Sequence, residues 1–158
     1  MEVFLMEYNR AKKEDLDQIY QLVQDTIQTV YPHYYPREIV DFFSDLHARE
    51  NIAADIESGC VRVLFSENCL IGTGTFSENH ISRLFVLPNF QQNGYGSYMM
   101  QRLEEEISAK HNVAILDASL CAACFYEHKG YKTVSHKEVS TDNGFYLVYE
   151  IMEKTLTS

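Results

Sequence analysis

Leu16, Ile19, Tyr20, Val23, Ile27 and Val30 recur at intervals of three and four residues, which lays one apolar stripe along a helix. Glu14, Asp15 and Asp17 sit at its start, where acids complement the helix dipole. Pro32 ends it, because proline supplies no N–H and clashes with the preceding turn. A second stripe (Ile39, Val40, Phe43, Leu46, His47) predicts a helix from Arg37 to about residue 49. Alternation then replaces helical spacing. Val61, Val63 and Phe65 share one parity, a turn follows at residues 66–68, and residues 70–76 return as a strand, which predicts an antiparallel hairpin. Gly72 and Gly74 leave nothing to pack in the returning strand and predict a bulge or a close neighbour there.

A strand over residues 81–87 follows, then a helix over about 96–111 carrying Met99, Met100, Leu103 and Ile107. Residues 113–116 are apolar throughout, as befits a strand covered on both faces. Cys121, Cys124, Phe125 and His128 share one face of a short helix that Gly130 closes. Strands over 131–136 and 145–152 flank the turn-forming Thr141-Asp142-Asn143-Gly144, and a strand over 3–9 opens the chain. The predicted order is β-α-α-β-β-β-α-β-α-β-β. Its one helix crossover, between strands 81–87 and 113–116, makes a locally parallel pair inside an otherwise hairpin-built sheet. The fold class is α+β with a mixed sheet. The 158 residues show no repeat or linker and are expected to form a single domain, 1–158.

Composition narrows the function classes. The formal net charge of −10 argues against nucleic acid, whose binding rests on clustered Lys and Arg, and suits a cationic partner. No apolar run approaches a membrane span, and the acidic start is too short for a signal peptide, so no membrane association and a cytoplasmic location are expected. The lone Cys121-Ala-Ala-Cys124 lacks a second pair at zinc-site spacing; reduced thiols and no metal are expected.

The most informative stretch begins where the apolar strand stops at Pro88. Gln91-Gln92-Asn93-Gly94-Tyr95-Gly96-Ser97 then runs into the helix of Met99 and Leu103. Strand, glycine loop and helix form either an anion cradle, with unpaired N–H groups and a helix dipole aimed outward, or a plain strand-to-helix turn.

That loop, read with Val86 and Pro88 before it, is similar to the Arg/Gln-x-x-Gly-x-Gly/Ala signature of the GCN5-related N-acetyltransferase (GNAT) family. Phe125-Tyr126-Glu127-His128-Lys129-Gly130-Tyr131 resembles the same family's Tyr-Glu-x-x-Gly-Phe segment. The resemblance covers essentially the whole chain. It implies a GNAT-like acyl-CoA N-acyltransferase fold, a mixed central sheet with helices on both faces. It also implies transfer of an acetyl group from acetyl-CoA to a primary amine of a small molecule or peptide, directly within a ternary complex and without a metal. Non-catalytic CoA sensing or docking, and transfer of a longer acyl group, are the alternatives.

By the same resemblance, Gln91, Gln92, Asn93, Gly94, Tyr95, Gly96 and Ser97 hold the pyrophosphate. Phe85, Val86, Ser119 and Phe125 line the pantetheine arm, and Tyr126 is the general acid for the departing thiolate. Glu78, His80 and Asp117 are three open candidates for the base. Tyr31, His33, Tyr34 and Tyr35 either line an acceptor pocket or pack over the core edge. Two departures from the family pattern stand out: the loop carries no basic residue, and Ser119 stands where Asn is usual. Family members often dimerise, which implies a homodimer through strands 131–136 and 145–152.

Overall fold

The computed structural model describes residues 6–142 and 144–157. Its seven strands are β1 (Met6–Arg10), β2 (Val61–Ser66), β3 (Cys69–Ser77), β4 (His80–Val86), β5 (Val113–Ala118), β6 (Lys132–Ser140) and β7 (Tyr146–Thr155). Five helices accompany them: α1 (Leu16–Val30), α2 (Arg37–Leu46), α3 (Arg49–Glu57), α4 (Tyr95–Ser108) and α5 (Ala123–His128). The strands form one sheet in the order β1-β2-β3-β4-β5-β7-β6. Only β4 and β5 run parallel, the α4 crossover between them returning the chain to the same end of the sheet; β1 and β2, joined through three helices, pair antiparallel. The mixed α+β sheet follows the predicted order, with one helix more. Of the predicted strand 3–9, residues 3–5 lie outside the described residues, as does Asn143 of the predicted turn.

The additional helix is α3. Ile52 is its one fully buried side chain, so its apolar stripe is too sparse for periodicity to reveal. Strand β6 extends four residues beyond the predicted 131–136. Nearly all of its side chains are exposed, so there was no alternation of burial to mark its end.

The core lies on both faces of the sheet. On one face α1, α2 and α3 cover Val61, Val63, Leu70, Phe85 and Leu147. On the other, Met100, Leu103 and Ile107 of α4, with Tyr126 of α5, cover Ile81, Ala114, Leu116 and Met152. The glycines of β3 let α4 approach. A Cβ at Gly72 would lie 3.0 Å from Met99 Sδ, and one at Gly74 would lie 2.9 Å from Leu103 Cδ1. The predicted close neighbour is therefore α4, and the β3–β4 register also shifts beside Gly74, between Thr73 and Thr75.

That irregularity shapes β4. Arg83 takes φ +47°, a conformation uncommon for a residue with a Cβ. The extra residue inverts the alternation beyond it. Ile81 packs on the α4 face, whereas Phe85, four residues on, packs on the α1 face. No helix among the described residues is long and apolar enough to cross a membrane.

Candidate active site

Strands β4 and β5 pair only at His80–Ile115 and Ile81–Leu116. Beyond those residues β5 keeps β7 as a partner through Asp117 and Ala118, and β4 keeps β3 through Val86. The strands thus part, and the β5-facing side of residues 82–86 has no strand beside it. This gap opens toward the glycine loop.

The loop leaves β4 through a tight turn at Pro88–Phe90 and is fastened by its own side chains. Gln91 Nε2 donates to Val86 O at 2.9 Å, and Asn93 Nδ2 to Gln91 O at 3.0 Å. Gln92 and Gly94 have φ +65° and +86°. Gly94 caps α4 with no side-chain hydrogen bond. Among the described residues, the backbone N–H groups of residues 92–97 have no hydrogen-bond acceptor. Unpaired amides at a helix start, on a loop bent by positive φ, make a seat for an anion. Nothing lies within 4 Å of a Cβ built on Gly94, so the seat is open there. A Cβ on Gly96 would lie 3.4 Å from Phe125 Cζ; its absence lets the Phe125 ring lie on the first turn of α4.

Two cavities occupy the gap. The larger, about 550 Å³, reaches from Thr26 and Val30 past Phe85 and Val86 to Gln91, Gln92, Gly94, Gly96, Ser97 and Phe125. The smaller, about 330 Å³, runs between α2, β4 and the β6–β7 hairpin and includes Asp117 and Ser119. Tyr31, Leu84, Phe85, Ala122 and Tyr126 line both, so these residues mark the junction.

Tyr126 is buried, with its ring against Phe125 and Tyr131 at centroid distances of 5.3 and 5.9 Å. Its hydroxyl has no hydrogen-bond partner among the described residues. Burial pushes the phenol well above its ordinary range, so it keeps its proton at neutral pH. Tyr31 is buried beside it in an aromatic cluster with Tyr35, Phe43 and Phe85, and desolvation likewise raises its phenol.

Other candidates lie apart from the cavities. Asn93 and Tyr95 belong to the loop without lining the larger cavity; the Tyr95 ring packs against Phe90. His33 and Tyr34 are exposed. Tyr35 Oη accepts the Leu120 N–H at 2.8 Å, which ties the α1–α2 connector to the segment after β5. Glu78 stands in the β3–β4 turn, mostly exposed, 3.3 Å from His111. His80 Nε2 is 3.4 Å from Asp117 Oδ1. Of the three base candidates, Asp117 lines a cavity and His80 touches it.

Several lining residues carry no motif and were not legible in the sequence. Arg83 Nε donates to His47 Nδ1 at 3.1 Å, and Arg83 Nη1 lies 2.7 Å from Asp55 Oδ2. The donated N–H fixes the tautomer of His47: Nδ1 is the acceptor, so the ring's own proton is on Nε2. Burial, then the adjacent guanidinium, hold the His47 pKa down at about 3. Tyr149 and Leu147 contribute the β7 wall of the smaller cavity. At the larger one, His128 and Lys129 stand within the Phe125–Tyr131 motif, which gave neither a role, and Lys129 Nζ sits 5.7 Å from the Phe125 ring centroid. Cys121 also lines it, its thiol pushed up to about 11 by burial.

Comparison with known proteins agrees with this arrangement. The sequence pattern of the Acetyltransferase (GNAT) domain matches residues 30–156. No curated protein sequence matches the chain. Among solved structures, a GCN5-related N-acetyltransferase from Rhodopseudomonas palustris superposes with a TM-score of 0.86 at 22% identity, over 95% of each chain. The PaiA N-acetyltransferase of Thermoplasma acidophilum, solved with coenzyme A, gives 0.73 at 19% identity over 95% of this chain and 98% of its own. YncA of Salmonella typhimurium, solved with its cofactor acetyl-CoA, gives 0.72 at 18% identity over 98% and 95%. The structural likeness is one of fold; with the domain match over most of its length, the chain belongs to the GNAT acetyltransferase family.

Proposed function

We propose that this protein is an N-acetyltransferase that moves an acetyl group from acetyl-CoA to a primary amine by direct attack in a ternary complex. The observation that carries this reading is the junction at Tyr126 and Phe85. There, a cavity ending in unpaired amides meets a second cavity bearing a carboxylate. Acetyl-CoA, when bound, supplies an acyl group already activated as a thioester.

The remaining work falls to the chain. The N–H groups of residues 92–97 would take the pyrophosphate oxygens, with Ser97 Oγ as a further donor. Lys129 is the fixed cation lining the larger cavity and offsets phosphate charge that a neutral loop leaves unmet. Phe85 and Val86, on the stretch of β4 without a β5 partner, line the path of the pantetheine arm; the Phe85 backbone groups face β3 and the Val86 N–H faces the gap. A backbone donor at Val86 suits the carbonyl oxygen, where negative charge develops during attack.

Tyr126 serves the departing sulfur. Its raised pKa makes it a hydrogen-bond donor to the thiolate more than a ready proton source. Its expected contribution is accordingly about 10²-fold, the low end for a positioned acid. A primary amine arrives protonated at neutral pH. Asp117, alone of the three base candidates in lining the smaller cavity, draws the ammonium in, and the neighbouring His80 relays its proton to solvent. Glu78 has no part in this scheme.

Thiol release from acetyl-CoA across a panel of primary amines tests the reading, with CoA affinity measured on the same preparation. Acetylated product from at least one amine is the expected result. Tight CoA binding without turnover on any amine refutes the enzyme and leaves a sensor.

A further inference from the structure

We infer that the acceptor is a compact monoamine with an aromatic or branched-alkyl body, carrying neither a carboxylate nor a second cationic group. This rests on the transfer reading above and narrows it. The net charge of −10 favours cations without limiting how many charges they bear; the smaller cavity sets that limit.

Most of its wall is apolar, with Phe42 and Leu46 of α2, Val139 of β6, Leu147 of β7 and Phe85 in it, and Ser82, Ser119 and His47 are among its polar lining. About 330 Å³ lies near the small end for ligand sites and suits one ring or branched chain beside the amine. Two formally charged side chains line it, Arg83 and Asp117. The Arg83 side chain is 8% exposed, and its charge is matched by Asp55 at 2.7 Å while its Nε is engaged by His47. Asp117 has the His80 ring at 3.4 Å as its ion-pair partner, which is charged only when protonated. Among the described residues, the charge in the cavity with no permanently charged partner is one carboxylate.

One carboxylate among apolar walls matches one ammonium on an apolar body. A second ammonium would shed water against those walls without a counter-charge, which is costly. An acceptor carboxylate would meet an Arg83 whose charge Asp55 already matches, in the same small space as the like-charged Asp117.

Matched pairs isolate each feature. Phenethylamine and phenylalanine differ by a carboxylate; butylamine and putrescine differ by an added ammonium. Each is to be assayed for kcat/KM with acetyl-CoA and titrated calorimetrically into protein saturated with CoA. Phenethylamine should exceed phenylalanine, and butylamine should exceed putrescine, each by about tenfold or more, as expected for one unpaired buried charge. Asp117→Asn should raise KM for phenethylamine by about tenfold with CoA affinity unchanged. Phenylalanine equal to or better than phenethylamine would mean that Arg83 reads a carboxylate, and would overturn the inference. Putrescine equal to or better than butylamine would overturn it too, while leaving amine acetylation intact. CoA binding with neither binding nor turnover of any amine would remove the transfer reading itself, and this inference with it.

Discussion

The wall of the smaller cavity can be probed without any ligand, through His47. Its ring accepts the Arg83 N–H and stands edge-on to Phe85 at 5.5 Å. Its pKa falls from 6.5, the value for a free histidine, to about 3 in the folded protein. Above pH 6.5 the ring is neutral in both folded and unfolded chains and is without effect on pH dependence. Below it, the unfolded chain binds a proton that the folded chain refuses until about pH 3, so stability is lost as pH falls through that window and levels off beneath it. The slope is about 1.4 kcal/mol per pH unit, which gives about 2 kcal/mol of loss by pH 5. The same figure follows for any folded value below about pH 4. The assay is urea unfolding of the wild type and His47→Gln at pH 7.5 and pH 5. A glutamine carbonyl can still accept the Arg83 N–H but does not titrate. Other groups titrate alike in both proteins, so the wild type should lose about 2 kcal/mol more than His47→Gln between the two pH values. Equal losses would show that His47 charges freely in the fold, and the Arg83–His47 contact would then be misjudged.

Three further outcomes follow from the glycine loop and its surroundings. Gly94→Val enters open space at φ +86°, so it should cost about 1–2 kcal/mol of stability through backbone strain and still fold by circular dichroism. It should abolish CoA binding by calorimetry; unchanged affinity would dismiss the loop as the phosphate seat. Lys129→Gln should weaken CoA about tenfold and flatten the salt dependence of its Kd, whereas an identical salt slope would show that Lys129 meets no phosphate. Glu78→Gln should leave kcat/KM for the best amine unchanged, because Glu78 lines neither cavity, and a large fall would return it to the reaction.

The parts that sequence revealed are those with a local cause. The α1 stripe, the β2–β3 hairpin and the Gly94–Gly96 loop each follow from residues adjacent in the chain, and each formed where expected. Helix α3 stayed hidden because Ile52 alone is fully buried along it, and β6 ran past its expected end because exposed residues carry no alternation. The acceptor wall was hidden for another reason. Arg83 reaches its place only because the bulge in β4 turns it toward His47 and Asp55, partners 36 and 28 residues away in the chain. No spacing rule encodes that meeting. Tyr31 and Tyr34, neighbours in one aromatic loop, were indistinguishable by sequence; the fold buries the first between both cavities and leaves the second 51% exposed.

The account turns on acceptor and acyl donor meeting at Tyr126, and the most direct measurement is the rate of acetylated amine formation by Tyr126→Phe beside the wild type. Both should be saturated with acetyl-CoA and the best amine, with CoA affinity measured in parallel. The ring packs against Phe125 and Tyr131 in either case, and no hydrogen bond among the described residues is lost with the hydroxyl, so folding and CoA affinity should be preserved. The prediction is a fall in kcat of about 10²-fold at unchanged CoA affinity. A variant as fast as the wild type would contradict it.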